Sequence, residues 1–117
     1  MSTRANKSRK AIPADSPALQ MQARAEEASE LLKAMANPQR LRVLCLLIER
    51  ELSVGEINAQ VELSQSALSQ HLAVLREKQL VNTRREAQTV YYSVSDGLVH
   101  DIIASLHGAF CSPKREA

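Results

Sequence analysis

A mainly helical domain carrying one β-hairpin is the fold class this sequence predicts, and three observations predict it. Apolar residues recur at three- and four-residue steps over most of the chain, the period of helices with one buried face. That period gives way to alternation only once, in "LVNTRRE" and "TVYYSV", residues 80–86 and 89–94. Apolar content is 44%, with no Trp, one Phe and two Tyr, so the core must be built from Leu, Val, Ile and Ala. At 117 residues there is chain enough for one core and too little for two.

The elements follow in order. Residues 1–15 read as a disordered basic tail, with Arg4, Lys7, Arg9 and Lys10 crowded together. Ser16-Pro17 is a helix start, Ser as N-cap and Pro at the first helical position. Met21, Ala25, Ala28, Leu32 and Met35 then form a seam of the kind that packs on another helix. Asn37-Pro38 repeats the start signal, and a second helix puts Leu41, Leu44, Cys45 and Ile48 on one face before "ERELS" breaks it. Ser53 and Glu56 make an S-x-x-E capping box for a short third helix, "VGEINAQV". Glu62-Leu63 is a tight turn, and Ser64 caps a fourth helix that runs to about Gln79. The hairpin turns at Ala87-Gln88. Asp96 caps a last helix with the stripe Leu98, Val99, Ile102, Ile103, Leu106 and Phe110, and 112–117 is a loose end. Residues 16–111 therefore form a single domain. Helix, turn, helix and then a basic hairpin is the winged helix-turn-helix plan.

Charge and composition narrow the function classes. Net charge is +2, so the chain as a whole is no polyelectrolyte binder, and 24% charged residues argue against general disorder. "MSTRANKSRK" has no apolar stretch behind it, and the longest apolar run, "VLCLLI", is far short of the roughly 20 residues of a bilayer span. A cytoplasmic protein with no membrane partner is expected. Its two cysteines then sit where static disulfides are rare, as inert packing or as working chemistry.

The fourth helix carries the functional signal. Advancing about 100° per residue places Gln65, Ser66, Ser69, Gln70 and Ala73 within an arc of about 140°. Leu68, His71, Leu72 and Leu75 fall on the opposite side. Gln offers a bidentate donor and acceptor pair to adenine, and Ser pairs with several base edges. Arg76, at the end of this face, suits a phosphate. The bland reading is a solvated helix face rich in Ser and Gln, but the hairpin weighs against it. Arg84 and Arg85 alternate to opposite faces of one strand, so at least one reaches a groove or phosphate beside the helix. Double-stranded DNA is the expected partner.

From about Leu31 to Phe110 the chain resembles the ArsR/SmtB family of bacterial winged-helix repressors. The likeness lies in "LLKAMANPQRLRVL", "LSVGEI", "SQSALSQHLAVLRE" and "LVNTRREAQTVYYSV". It implies a homodimer through the first and last helices, bound to an imperfectly palindromic operator with the fourth helix in the major groove. By that resemblance Gln65, Ser66, Ser69 and Gln70 read bases, and Arg84 to Thr89, Gln88 included, form the wing. The family's metal motifs are absent. Ser53 and Gly55 stand where the third-helix site needs Cys, and Leu98, Ala109 and Ser112 where the last-helix site needs its ligands after Asp96. Glu62 and Ala87 also replace glycines common at the turn and the wing tip.

Cys45 and Cys111 remain. A branch of the family that senses reactive sulfur (BigR- and SqrR-like) is similar in placing one Cys in the second helix and one at the end of the last. That likeness implies a switch in which a persulfide or other oxidant joins the two through a disulfide or polysulfide and releases DNA. Read from the residues alone, Cys45 is equally a buried core thiol and Cys111 an incidental exposed one. Two alternatives stay open. His100, His107 and Cys111 share a helix face and suit zinc or copper, although seven residues span about 10 Å. A constitutive antisilencing DNA binder on the same fold is the other. An enzyme is not expected, because a thiol oxidoreductase lacks its C-x-x-C, and there is no phosphate loop or triad. No cofactor is called for.

Overall fold

The computed structural model describes residues 11–111; the basic segment up to residue 10 and the segment 112–117 lie outside the described residues. The chain divides into two compact units after Glu30. Helix α1, Pro17–Met35, begins as its sequence requires, with Ser16 Oγ accepting from the Leu19 amide at 3.2 Å. Along it, Arg24 Nε donates to Glu27 Oε1 at 2.6 Å.

Leu31–Cys111 carries the core. The last turn of α1 contributes Ala34 and Met35, both buried, while Leu32 is 53% exposed. Of the expected seam, then, only Met35 is buried; Met21, Ala25 and Leu32 are exposed. Asn37 caps α2, Pro38–Leu47, its Oδ1 accepting from the amides of Gln39 and Arg40 at 2.9 and 3.1 Å. The innermost residues of α2 are Val43, Leu44 and Leu47, and Leu41, Cys45 and Ile48 are half-buried on its flank. This corrects the expected stripe. "VLCLLI" is apolar without interruption, so spacing alone does not say which arc of the helix faces inward.

Strand β1, Leu52–Ser53, was not expected; two residues give no alternation to read. Ser53 also closes the capping box of α3, Val54–Asn58: its Oγ accepts from Glu56 N, and Glu56 Oε1 from Ser53 N. Helix α3 is shorter than "VGEINAQV", since Gln60 N turns back to the Ile57 carbonyl at 2.9 Å. Helix α4, Gln65–Glu77, ends in a Schellman motif: Leu80 N donates to Leu75 O at 2.8 Å, with Gln79 at φ 63. Strands β2, Val81–Glu86, and β3, Thr89–Val94, pair antiparallel from Val81↔Val94 to Glu86↔Thr89. The sheet order is β1-β3-β2.

Helix α5, Leu98–Cys111, starts after Gly97, whose carbonyl accepts from Asp101 N at 2.9 Å. Gly97, not Asp96, thus holds the N-cap position, because the chain leaving the sheet reverses there through φ 80, which glycine adopts freely. Of its stripe, Val99 and Ile103 are buried and Ile102 and Leu106 half-buried, while Leu98 and Phe110 are 61% and 82% exposed. The core joining these elements is aliphatic apart from Tyr92, with no buried polar residue among those described.

Candidate nucleic-acid interface and thiol pair

The turn into α4 is held by its own side chains. Asn58 Nδ2 donates to the Leu63 carbonyl at 2.9 Å, and Ser64 Oγ accepts from Ala67 N at 3.1 Å. Glu62 needs no left-handed backbone, so the turn is of a type that does without the glycine. The cap starts α4 at Gln65, and its phase follows from Leu68, Leu72 and Leu75, all buried. Gln65, Ser66, Ser69, Gln70, Ala73 and Arg76 are consequently exposed on the other side, as expected. His71 lies half-buried between the faces, its Nδ1 3.4 Å from Arg40 Nη1. Arg40 Nε also donates to the Ala34 carbonyl at 2.6 Å, so one guanidinium ties the end of α1 to α2 and reaches α4. His71, expected on the side opposite the polar face, thus has a partner that sequence spacing could not name.

The wing is a two-residue hairpin. Ala87 has φ 58 and Gln88 does not share its positive sign, the pattern of a type II′ turn. Gln88 is exposed at the tip. The two arginines part company. Arg85 is exposed and makes no hydrogen bond or ion pair among the described residues. Arg84 is engaged: its Nη2 lies 2.8 Å from Glu51 Oε1, its Nε donates to both Glu51 oxygens at 3.1 Å, and its Nη1 is 3.3 Å from Glu86 Oε1. Its guanidinium carbon sits 4.8 Å from the Tyr91 ring centroid. The hydrogen bonds from Arg84 hold the Glu51 carboxyl below its ordinary value and raise the guanidinium in return. Sequence reasoning missed Glu51 and Tyr91. Tyr91 faces Arg84 only once the register is known, and Glu51 is 33 residues away.

The two thiols are free, Cys45 half-buried on α2 and Cys111 exposed at the end of α5. Cys45 lines a shallow apolar pocket with Leu41, Leu46 and Val61. Burial pushes its thiol up, and the nearby Cys111 pushes it further. The two helices that carry the thiols, α2 and α5, pack against each other. His100 and His107 are exposed, and with Cys111 they do not gather into a metal site; no three His, Cys, Asp or Glu side chains do among the described residues.

Residues 37–83 match the model of the bacterial regulatory protein arsR family. The chain is 55% identical to the transcriptional activator HlyU of Vibrio cholerae over 79% of its length and 85% of the relative's. The reduced form of that protein superposes with a TM-score of 0.74, over 79% of this chain and 97% of the other. It is 43% identical to the biofilm growth-associated repressor of Agrobacterium fabrum, over 80% of each. The repressor BigR of Xylella fastidiosa, 38% identical over 82% of this chain and 98% of its own, gives a TM-score of 0.73. The BigR-like branch that the sequence resembles is thus represented among its relatives.

Proposed function

The chain belongs to the arsR family of bacterial transcriptional regulators, and from that premise we propose that it is a homodimeric repressor controlled by sulfur chemistry. It reads operator DNA with α4 and leaves it when Cys45 and Cys111 of one chain are joined. The observation that carries the DNA reading is the division of α4 into buried Leu68, Leu72 and Leu75 and exposed Gln65, Ser66, Ser69 and Gln70. A face of hydrogen-bonding groups with little charge suits base edges better than bulk water. Arg76 on α4, with Arg85 and Gln88 on the wing, supplies flanking contacts to the backbone.

Dimerisation is supported by Leu98 and Phe110, which are large, apolar and exposed. In a dimer of this kind the recognition helices lie about 34–36 Å apart, one DNA turn, so the operator is an imperfect palindrome. The switch is supported by the placement of the two thiols on α2 and α5, helices that pack against each other. Two thiols and one organic persulfide, R–S–SH, yield the disulfide, R–SH and hydrogen sulfide. A second persulfide leaves one extra sulfur in the link, giving a trisulfide and a second R–SH. A disulfide requires Cα atoms usually about 4.4–6.8 Å apart, a limit the longer link relaxes. Either link tethers α5 to α2 and shifts the spacing of the two reading heads.

Selection from a random-sequence DNA library tests the reading. A palindromic consensus is expected, and Gln65→Ala should lower discrimination within it by roughly 1–3 kcal/mol per lost base contact. A monomer in solution that enriches no sequence would refute it.

A further inference from the structure

We propose that Glu51 and Arg84 form a clasp that sets the direction of the wing, making Arg84 a positioning residue and not a phosphate contact. This rests on the DNA reading above and refines which wing arginine serves it.

The clasp spans the sheet in strand order. Arg84 lies on the edge strand β2, Tyr91 opposite it on β3, and Glu51 immediately before β1. The guanidinium lies over the Tyr91 ring, 4.8 Å from its centroid, and reaches Glu51 beyond it at 2.8 Å. The Nε and Nη2 donors together present the planar fork that matches a carboxylate, a geometry lysine does not reproduce. With Glu86 3.3 Å away, two carboxylates face one guanidinium. An incoming phosphate would have to displace both.

The opposite face of the same strand has the properties a DNA contact needs. Arg85 pairs with Val90, on the sheet face that also carries the buried Tyr92 and Val94. Tyr92 lines a groove with Ser69 and Arg76 of α4, so this face looks toward the recognition helix. Arg85 is exposed there and has no partner among the described residues. The clasp fixes β2 to the segment whose next residues cap α3, and so aims Arg85 beside α4. Exposed ion pairs contribute little to folding, so losing the clasp should affect aim more than stability.

The test is a salt series of DNA affinities, using the duplex enriched by the wild-type protein. The proteins are wild type, Arg85→Ala, Arg84→Ala, Arg84→Lys, Glu51→Gln and the Arg84→Ala/Glu51→Gln pair. Arg85→Ala should flatten the slope of log affinity against log salt by about 0.9, one phosphate. Arg84→Ala, Arg84→Lys and Glu51→Gln should each weaken binding roughly three- to tenfold, as a wing that must be ordered on binding would. Their salt slopes and unfolding temperatures should stay close to wild type. The double variant should be no weaker than Arg84→Ala alone, because the two residues act as one. The proposal is overturned if Arg84→Ala flattens the slope as Arg85→Ala does, if Arg84→Lys binds like wild type, or if Glu51→Gln tightens binding only while Arg84 is present. A wild type that shows no salt-dependent binding removes the DNA reading itself, an outcome separate from these.

Discussion

Cys45 and Cys111 differ in a way that sets the order of their chemistry. The thiolate is the reactive form, and burial together with the nearby Cys111 disfavours it at Cys45. Cys111 is exposed. Near neutral pH, iodoacetamide should therefore modify Cys111 first, with Cys45 catching up as the pH rises through its elevated pKa; timed peptide mass spectrometry reads both. Equal rates at neutral pH would contradict this. The residues alone already set a buried Cys45 against an exposed Cys111, but not that Cys45 is only half-buried, because that depends on which arc of α2 meets the core. The exposure of Gln65, Ser66, Ser69 and Gln70 was legible from helical phase alone, since Leu68, Leu72 and Leu75 fix that phase. Arg84 was legible only as a charge. Its occupation by Glu51 is a tertiary fact with no local signature.

Caps and turns decide where the elements begin. Ser64 satisfies the Ala67 amide, so Ser64→Ala should cost about 1 kcal/mol and fray the start of α4. Ala87 bears a left-handed strain that costs a residue with a Cβ roughly 1–2 kcal/mol, offset in part by the greater unfolded-state freedom of glycine. Ala87→Gly should therefore raise the unfolding temperature by a few degrees, and a fall would mean that the turn is not strained. The clasp has its own pH dependence. Glu51 is held below its ordinary value by Arg84, so its contribution is complete above the unfolded carboxylate pKa and is lost as pH falls through the lower folded one. Wing amides should accordingly lose hydrogen-exchange protection in acid earlier than those of α4. Long periodic helices and the hairpin were readable because their patterns repeat. Strand β1 and the early end of α3 were not, since each is settled by a partner elsewhere: Tyr92 and Tyr91 for β1, and the Ile57 carbonyl for the turn after α3.

The molecule as a whole places α4, the hairpin and a thiol pair on one aliphatic core, and the packing of α2 against α5 connects them. No helix among the described residues is long and apolar enough to cross a membrane. Exposed apolar residues of α5 and free thiols on α2 and α5 would put the sensor and the dimer contact in the same layer. In the proposed dimer, a link of one or two sulfur bonds there would be transmitted as a change in half-site spacing, which DNA tolerates poorly because its register is fixed. Binding of the selected operator after exposure to an organic persulfide, with the intact mass taken from the same sample, tests this most directly. The wild-type chain should lose two hydrogens, or lose them and gain one sulfur, and should leave the DNA in step with that change. Cys45→Ser and Cys111→Ser should bind before treatment and stay bound after it. Release of both single variants at the wild-type rate, or a fully linked wild type still on its operator, would contradict the account.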